Sequence, residues 1–240
     1  MLKGDKMCIY KKKLECPVCK SKFETTKVKS SKLRVETMDT DLFKRFKDVE
    51  EHPIKYEVIM CPNCGYSAIE KHFENISKRG IAIIKENIMY KWIKQDYTDV
   101  RDKQDAIKAY KFALYEAELM KKSKVELGGI CLRMAWVNRL YGDIENEYKY
   151  LDMTLKLYDK AYMEEDLMKE GADEITIGYL IGDINERLGN KKEALRWMNK
   201  IVFDRSISQN RTIEKLAREK IETLKSEDVE QEDELQAQAN

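Results

Sequence analysis

The chain has 240 residues, 42% hydrophobic and 37% charged, and a net charge of +1. Its longest uninterrupted apolar run is four residues, against the ~20 that a transmembrane helix needs, so no membrane role is expected. The N-terminal "MLKGDKMCIYKKK" carries charge but no apolar secretory core, so the protein reads as cytoplasmic, where clustered cysteines point to metal or catalysis before disulfides.

The chain divides into three zones. Residues 1–75 hold all three prolines and five of the six cysteines. Two stretches there are strand-like: "KVKSSKLRVE" (Lys27–Glu36) alternates, and "KYEVIM" (Lys55–Met60) runs into Cys61. Within this zone Cys16, Cys19, Cys61 and Cys64 form two CxxC pairs, "CPVC" and "CPNC", with 41 residues between them. Two cysteines three positions apart on a tight turn face one ion, and two such turns complete a tetrahedral site. Pro17 and Pro62 stiffen the turns, Gly65 offers a positive φ, and Phe23 and Tyr66 are placed to exclude water. The pattern is that of a zinc ribbon with a long insertion, since the usual gap is about 15–20 residues. One structural zinc is expected; four cysteines leave no open position for a catalytic water.

Other readings of the pairs are weaker. A thiol oxidoreductase uses one CxxC at a helix N-terminus and gives no reason for a matched second pair. A rubredoxin-like iron site suits "CPNCGY", but Lys20 stands where the first knuckle would need Gly, which favours zinc. Nine basic residues (Lys11, Lys12, Lys13, Lys20, Lys22, Lys27, Lys29, Lys32, Arg34) surround the first pair, so a nucleic-acid-binding ribbon is the main alternative function. Lysine predominates and Phe23 is the single aromatic among them, which gives base reading little support. The remaining candidates read as bland. Cys8 is a free thiol in a loose terminus, His52 is solvated, and Cys131 is a small core residue. His72 would reach a metal only in place of a cysteine, and Asp39 and Asp41 in "MDTD" serve a turn. No catalytic constellation stands out, and no enzyme is expected.

Residues 76–225 contain no proline and read as helix throughout. Apolar residues recur at steps of three and four: Ile81, Ile84, Ile88, Trp92; Ile107, Tyr110, Leu114; Ile144, Tyr148, Leu151, Leu155, Tyr158, Tyr162; Ile177, Leu180, Ile184, Leu188. The last helix carries Ile213, Ala217, Lys220 and Leu224, where Lys220 suggests a wetter face. "YGD" (Tyr141–Asp143) and "LGN" (Leu188–Asn190) place glycine where a helix ends and Asp or Asn where the next begins. Ile181–Ile201 resembles a tetratricopeptide repeat through Gly182, Gly189, Ala194, Met198 and Ile201. Met134–Thr154 aligns with it except at Glu147, which stands where a small residue belongs. Ala106, Tyr110 and Ala113 fit part of a third unit. A degenerate antiparallel array with a concave surface follows. Residues 226–240, with six acids and no Lys or Arg, read as a disordered tail.

The fold class expected is thus mainly α, an N-terminal β-containing zinc ribbon followed by a tetratricopeptide-like array. "ECPVCKSKFETTKVKSSKLRVETMDTD", "YEVIMCPNCGY" and the helices behind them resemble a bacterial family known as a domain of unknown function, from about Lys12 to about Lys225. The resemblance implies zinc on Cys16, Cys19, Cys61 and Cys64 and helical repeats; it implies no activity. The function expected is a non-enzymatic interaction module with an unidentified protein or peptide partner.

Overall fold

The computed structural model describes residues 8–204 and 207–238. The first seven residues, read above as lacking a secretory core, lie outside that range. Three antiparallel hairpins come first. β1 (Ile9–Glu15) pairs with β2 (Lys22–Val28), β3 (Val35–Met38) with β4 (Lys44–Phe46), and β5 (Val58–Met60) with β6 (Ser67–Ile69). The first and third each close on a CxxC turn. The alternating "KVKSSKLRVE" is not one strand: β2 ends at Val28, a single 3-10 turn covers Ser30–Lys32, and β3 starts at Val35. Cys8 is buried and its carbonyl accepts the Lys29 N–H at 2.7 Å, so it extends the first hairpin and is no loose thiol.

Eight α-helices follow among the described residues. They are α1 (Glu70–Phe73), α2 (Lys78–Asn87), α3 (Lys103–Leu119), α4 (Lys124–Leu140), α5 (Ile144–Glu164), α6 (Glu174–Arg187), α7 (Lys191–Val202) and α8 (Arg211–Gln238). Side-chain caps set the starts: Asp102 on α3, Ser123 on α4, Asp143 on α5 and Asp173 on α6 each accept a first-turn N–H. α4–α5 and α6–α7 are two helical hairpins with one turn in common. Gly142 (φ 69°) and Gly189 (φ 85°) are left-handed. The N–H of Asp143 bonds the Asn138 carbonyl, and that of Asn190 bonds the Asn185 carbonyl. Asn138 and Asn185 each donate back to the carbonyl four residues earlier, at 2.8 and 2.9 Å.

Four expectations need correction. The helical zone is interrupted: α2 ends at Asn87, and Trp92 lies in the irregular segment before α3. Along α5 the stripe begins late, with Ile144 67% and Tyr148 46% exposed, because Glu147 turns inward to accept from Arg139 at 2.7 Å. The same bond explains a carboxylate where a repeat would have a small residue. Lys220 is 11% exposed and pairs with Asp183 and Glu186 of α6, so α8 docks through a buried ion cluster. The tail continues α8 as helix to Gln238. Residues there are mostly good helix formers, and extending a formed helix costs far less than nucleating one.

The largest surprise is the middle hairpin. Its strands are exposed, but its tip is seated on α4 and α6. Asp41 is fully buried. It accepts from Arg139 at 2.8 and 2.6 Å and from the Trp136 indole N–H at 3.0 Å, with Arg187 3.6 Å away. Asp39 accepts from Arg45 and Arg139, and Thr40 accepts from Tyr179 and Arg187. Asp39 and Asp41 do shape the turn, through Leu42 N–H to the Asp39 carbonyl and Phe43 N–H to the Asp41 carboxylate. His52 is no solvated loop residue. It caps the 3-10 turn Pro53–Tyr56 and stacks on Phe43 at 5.1 Å. Removing one partner of a buried ion pair typically costs 3–5 kcal/mol. Asp41→Ala should therefore destabilise the protein by about 3 kcal/mol in urea denaturation, and Asp41→Asn by less.

Candidate metal centre

Two turns of the same form bring the four cysteines together. Cys16 N–H bonds the Ser21 carbonyl and Lys20 N–H the Cys16 carbonyl. In the second turn Cys61 N–H bonds the Tyr66 carbonyl and Gly65 N–H the Cys61 carbonyl. The residue after each pair is left-handed, Lys20 at φ 62° and Gly65 at φ 80°. Lys20 thus adopts the conformation expected only of glycine, and the sequence argument against iron at the first turn falls. The four Sγ atoms lie within 4.8 Å of one another. Cys16 and Cys64 are 3.5 Å apart and Cys19 and Cys61 3.7 Å. A tetrahedron with metal–sulfur arms of about 2.3 Å has edges of roughly 3.8 Å. The cluster is therefore able to hold a metal ion.

The electrostatics agree. Contact with Cys61 pushes the Cys16 thiol up to about 12, and contact with Cys16 pushes Cys64 up as well. Hydrogen bonds from Cys16 and Cys64 pull Cys61 down. Burial opposes ionisation of Cys19, but Asn63 and Ser21 outweigh it and lower that thiol. Four adjacent thiols share too little positive charge to ionise together, which is what a cation would supply. Ser21 Oγ lies 3.0 Å from Cys19 Sγ and 3.5 Å from Cys61 Sγ, and Asn63 Nδ2 lies 3.5 Å from Cys19 Sγ.

The site is roofed by aromatics. Tyr66 stacks on Phe73 at 5.0 Å, and Phe23 meets Phe73 edge-on at 6.2 Å. The sequence reading missed Trp92. Its indole N–H donates to the Pro62 carbonyl at 3.0 Å, and its ring lies where a Gly65 Cβ would be only 2.5 Å away. Gly65 thus serves both the turn and the tryptophan above it. No local signal links Trp92 to a cysteine 28 positions earlier.

Buried polar groups mount this unit on the helices. The Arg101 guanidinium is 1% exposed as a residue and donates to the carbonyls of Tyr97, Lys55 and Val58. Tyr110 O–H donates to the Ile54 carbonyl at 2.7 Å. Glu116 of α3 is fully buried; one oxygen accepts the Ser67 N–H at 2.9 Å and the other has no hydrogen-bond partner among the described residues. Burial drives its carboxyl well above the usual range.

A cleft of about 330 Å³ opens where α1 faces α4, α5 and α6. Its lining includes His72, Gly129, Arg133, Trp136, Tyr158 and Thr176. His72 faces this cleft and not the cysteines. Cys131 is fully buried in α4, as expected. The basic cluster is partly spent on internal pairs: Lys11 with Asp99, Lys12 and Lys27 with Glu70, and Lys13 with Glu24. No helix among the described residues is long and apolar enough to cross a membrane.

Fold and site together define a mainly helical protein carrying a four-cysteine cluster able to bind a metal ion. Over residues 9–224 the chain matches the family described as "Uncharacterized protein conserved in bacteria (DUF2225)", and it belongs to that family. No curated protein and no solved structure matches it.

The buried Glu116 yields a pH dependence with a defined sign. A carboxyl raised in the fold binds its proton more tightly there than in the unfolded chain. Stability is then lost as pH rises above the ordinary glutamate range. Glu116→Gln keeps an acceptor for Ser67 N–H without the buried charge. It should raise Tm at pH 7.5, with the gain shrinking towards pH 4.5 in thermal melts.

Proposed function

We propose that the cysteines hold one structural zinc ion in a ribbon, and that the tetratricopeptide-like array on which the ribbon is mounted is a non-enzymatic peptide-binding module. The observation that carries the reading is that the helices already hold a piece of polypeptide, the turn of the middle hairpin, through its backbone and side chains. Arg139 and Trp136 of α4, with Tyr179 and Arg187 of α6, grip the hairpin tip. The same faces continue from Trp136 through Arg133 to Gly129, and to Leu180 and Thr176 of α6, along the open cleft. Side chains at these spacings share one side of a helix. The cleft therefore extends a surface whose chemistry suits peptide.

Zinc is favoured as a redox-inert ion that need only be held; structural sites of this kind contribute on the order of 10 kcal/mol. Purified protein should be colourless and contain one zinc per chain by elemental analysis. Chelation should abolish the near-UV signal of the aromatic roof while far-UV helicity largely persists. A red, iron-loaded protein, or an unchanged near-UV spectrum after metal removal, would count against the structural-zinc reading.

For the module, a library of synthetic dodecapeptides with free carboxyl termini should yield binders on wild-type protein. Gly129→Leu, which projects a side chain into the cleft, should lose them by at least tenfold in fluorescence anisotropy. A library without binders would remove the peptide-binding reading.

A further inference from the structure

Two neighbouring glycines in the middle of α4 behave differently. Gly128 is required by packing: a Cβ there would lie 2.5 Å from the Tyr158 ring. Gly129 is not. A Cβ there would meet only Arg133 Nη1 at 3.5 Å and the Tyr158 hydroxyl at 3.7 Å, ordinary contact distances. Glycine is the poorest helix former after proline, and Gly129 has helical, not left-handed, backbone. What its missing side chain does supply is room above the Tyr158 hydroxyl, in the cleft.

That hydroxyl is the second observation. Tyr158 is 4% exposed and lines the cleft, and its O–H has no hydrogen-bond partner among the described residues. The ring is buried while the hydroxyl opens into the cleft, where it is available to a ligand. The other lining groups divide by chemistry. The acceptors are already engaged: Asp173 accepts from Thr176 and Asn210, and Glu126 pairs with Lys122. The donors are not all engaged. Arg133 uses Nε on Glu57 and Nη1 on the Gly129 carbonyl, which leaves Nη2. The side chains of His72 and Lys71 have no hydrogen-bond partner among the described residues. The unengaged groups among these are donors, beside the carboxylates of Glu126 and Asp173. Glu126 and Asp173 offset the lining cations Lys71 and Arg133, so the cleft has no surplus positive charge to hold a dianion, and a bound monoanion would be held by hydrogen bonds from the free donors. Trp136, Ile177 and Leu180 supply an apolar wall beside the donors.

We infer that this cleft takes the C-terminal carboxylate of a peptide whose last side chain is apolar, with the Tyr158 hydroxyl and Arg133 as its donors and Gly129 as the gap that admits it. The inference rests on the peptide-binding reading and specifies its anchor.

The test uses full-length protein with acetyl-Ala-Ala-Ala-Leu as the free acid and as the carboxamide, followed by amide chemical-shift titration. The free acid should shift residues around Gly129 and Tyr158 and bind at least tenfold tighter than the carboxamide. Tyr158→Phe should weaken the acid about fivefold and leave the carboxamide unchanged. Gly129→Ala should raise Tm, as a better helix former, while weakening the acid; this pairing separates a ligand role from a packing role. Equal binding of acid and carboxamide would overturn the carboxylate anchor and leave peptide binding standing. Library peptides that bind while neither tetrapeptide perturbs the cleft would also overturn it. So would Gly129→Ala lowering Tm with affinity intact, since the glycine would then be structural.

Discussion

Asp41, sealed between Arg139 and Trp136 with Arg187 close by, is the contact on which the arrangement of the molecule turns. A carboxylate with no exposed surface is tolerable only if its charge and lone pairs are met. Meeting them takes side chains from two helices that belong to different helical hairpins. One residue at a hairpin tip therefore sets the spacing of α4 and α6. The same arginines are met in turn: Arg139 by Asp39 and Glu147, Arg187 by Asp183. The network then runs on through Asp183 and Glu186 to Lys220 of α8.

This gives the long insertion between the two cysteine pairs a physical purpose. Its ends lie in the hairpins that carry the cysteines, and its middle is clamped to the helices. Arg101, Tyr110 and the Glu57–Arg133 pair add contacts between the third hairpin's region and α3 or α4. The larger apolar core follows the same plan, since Ile54, Val58 and Met60 belong to it along with the helices. The cysteine unit also draws Ile84 of α2, and Ile88 just beyond its end, into its own core. The cysteine-bearing hairpins and the helices thus share one set of packing contacts.

Much of this was legible in the residues. Paired CxxC spacing, with proline inside each pair, brought four cysteine sulfurs close together. The YGD and LGN turns end and begin helices where the glycines and the capping Asp143 place them. These are local signals: a turn needs a positive φ within a few residues, and a cap needs an acceptor beside free N–H groups. The errors were equally instructive. Lys20 took a left-handed conformation because the hydrogen bonds of its turn overrode the ordinary cost of a Cβ there. Lys220 and Glu147 were read by residue type as surface or misfit, and each proved to be half of an ion pair completed from another helix.

The sequence by itself determined the cysteine cluster, the helical content and the hairpin turns, because each depends on residues a few positions apart or on a repeated spacing that sulfur geometry or helix periodicity enforces. Tertiary structure alone decided that Asp41 reaches Arg139, that Trp92 roofs the second turn, that Glu116 meets the Ser67 N–H, and that Gly129 and Tyr158 meet in one cleft. Those pairs are separated by 27 to 98 positions in the chain. A charge, a ring or a missing side chain carries no mark of its distant partner; only the packing of helices against the cysteine-bearing hairpins brings them within reach.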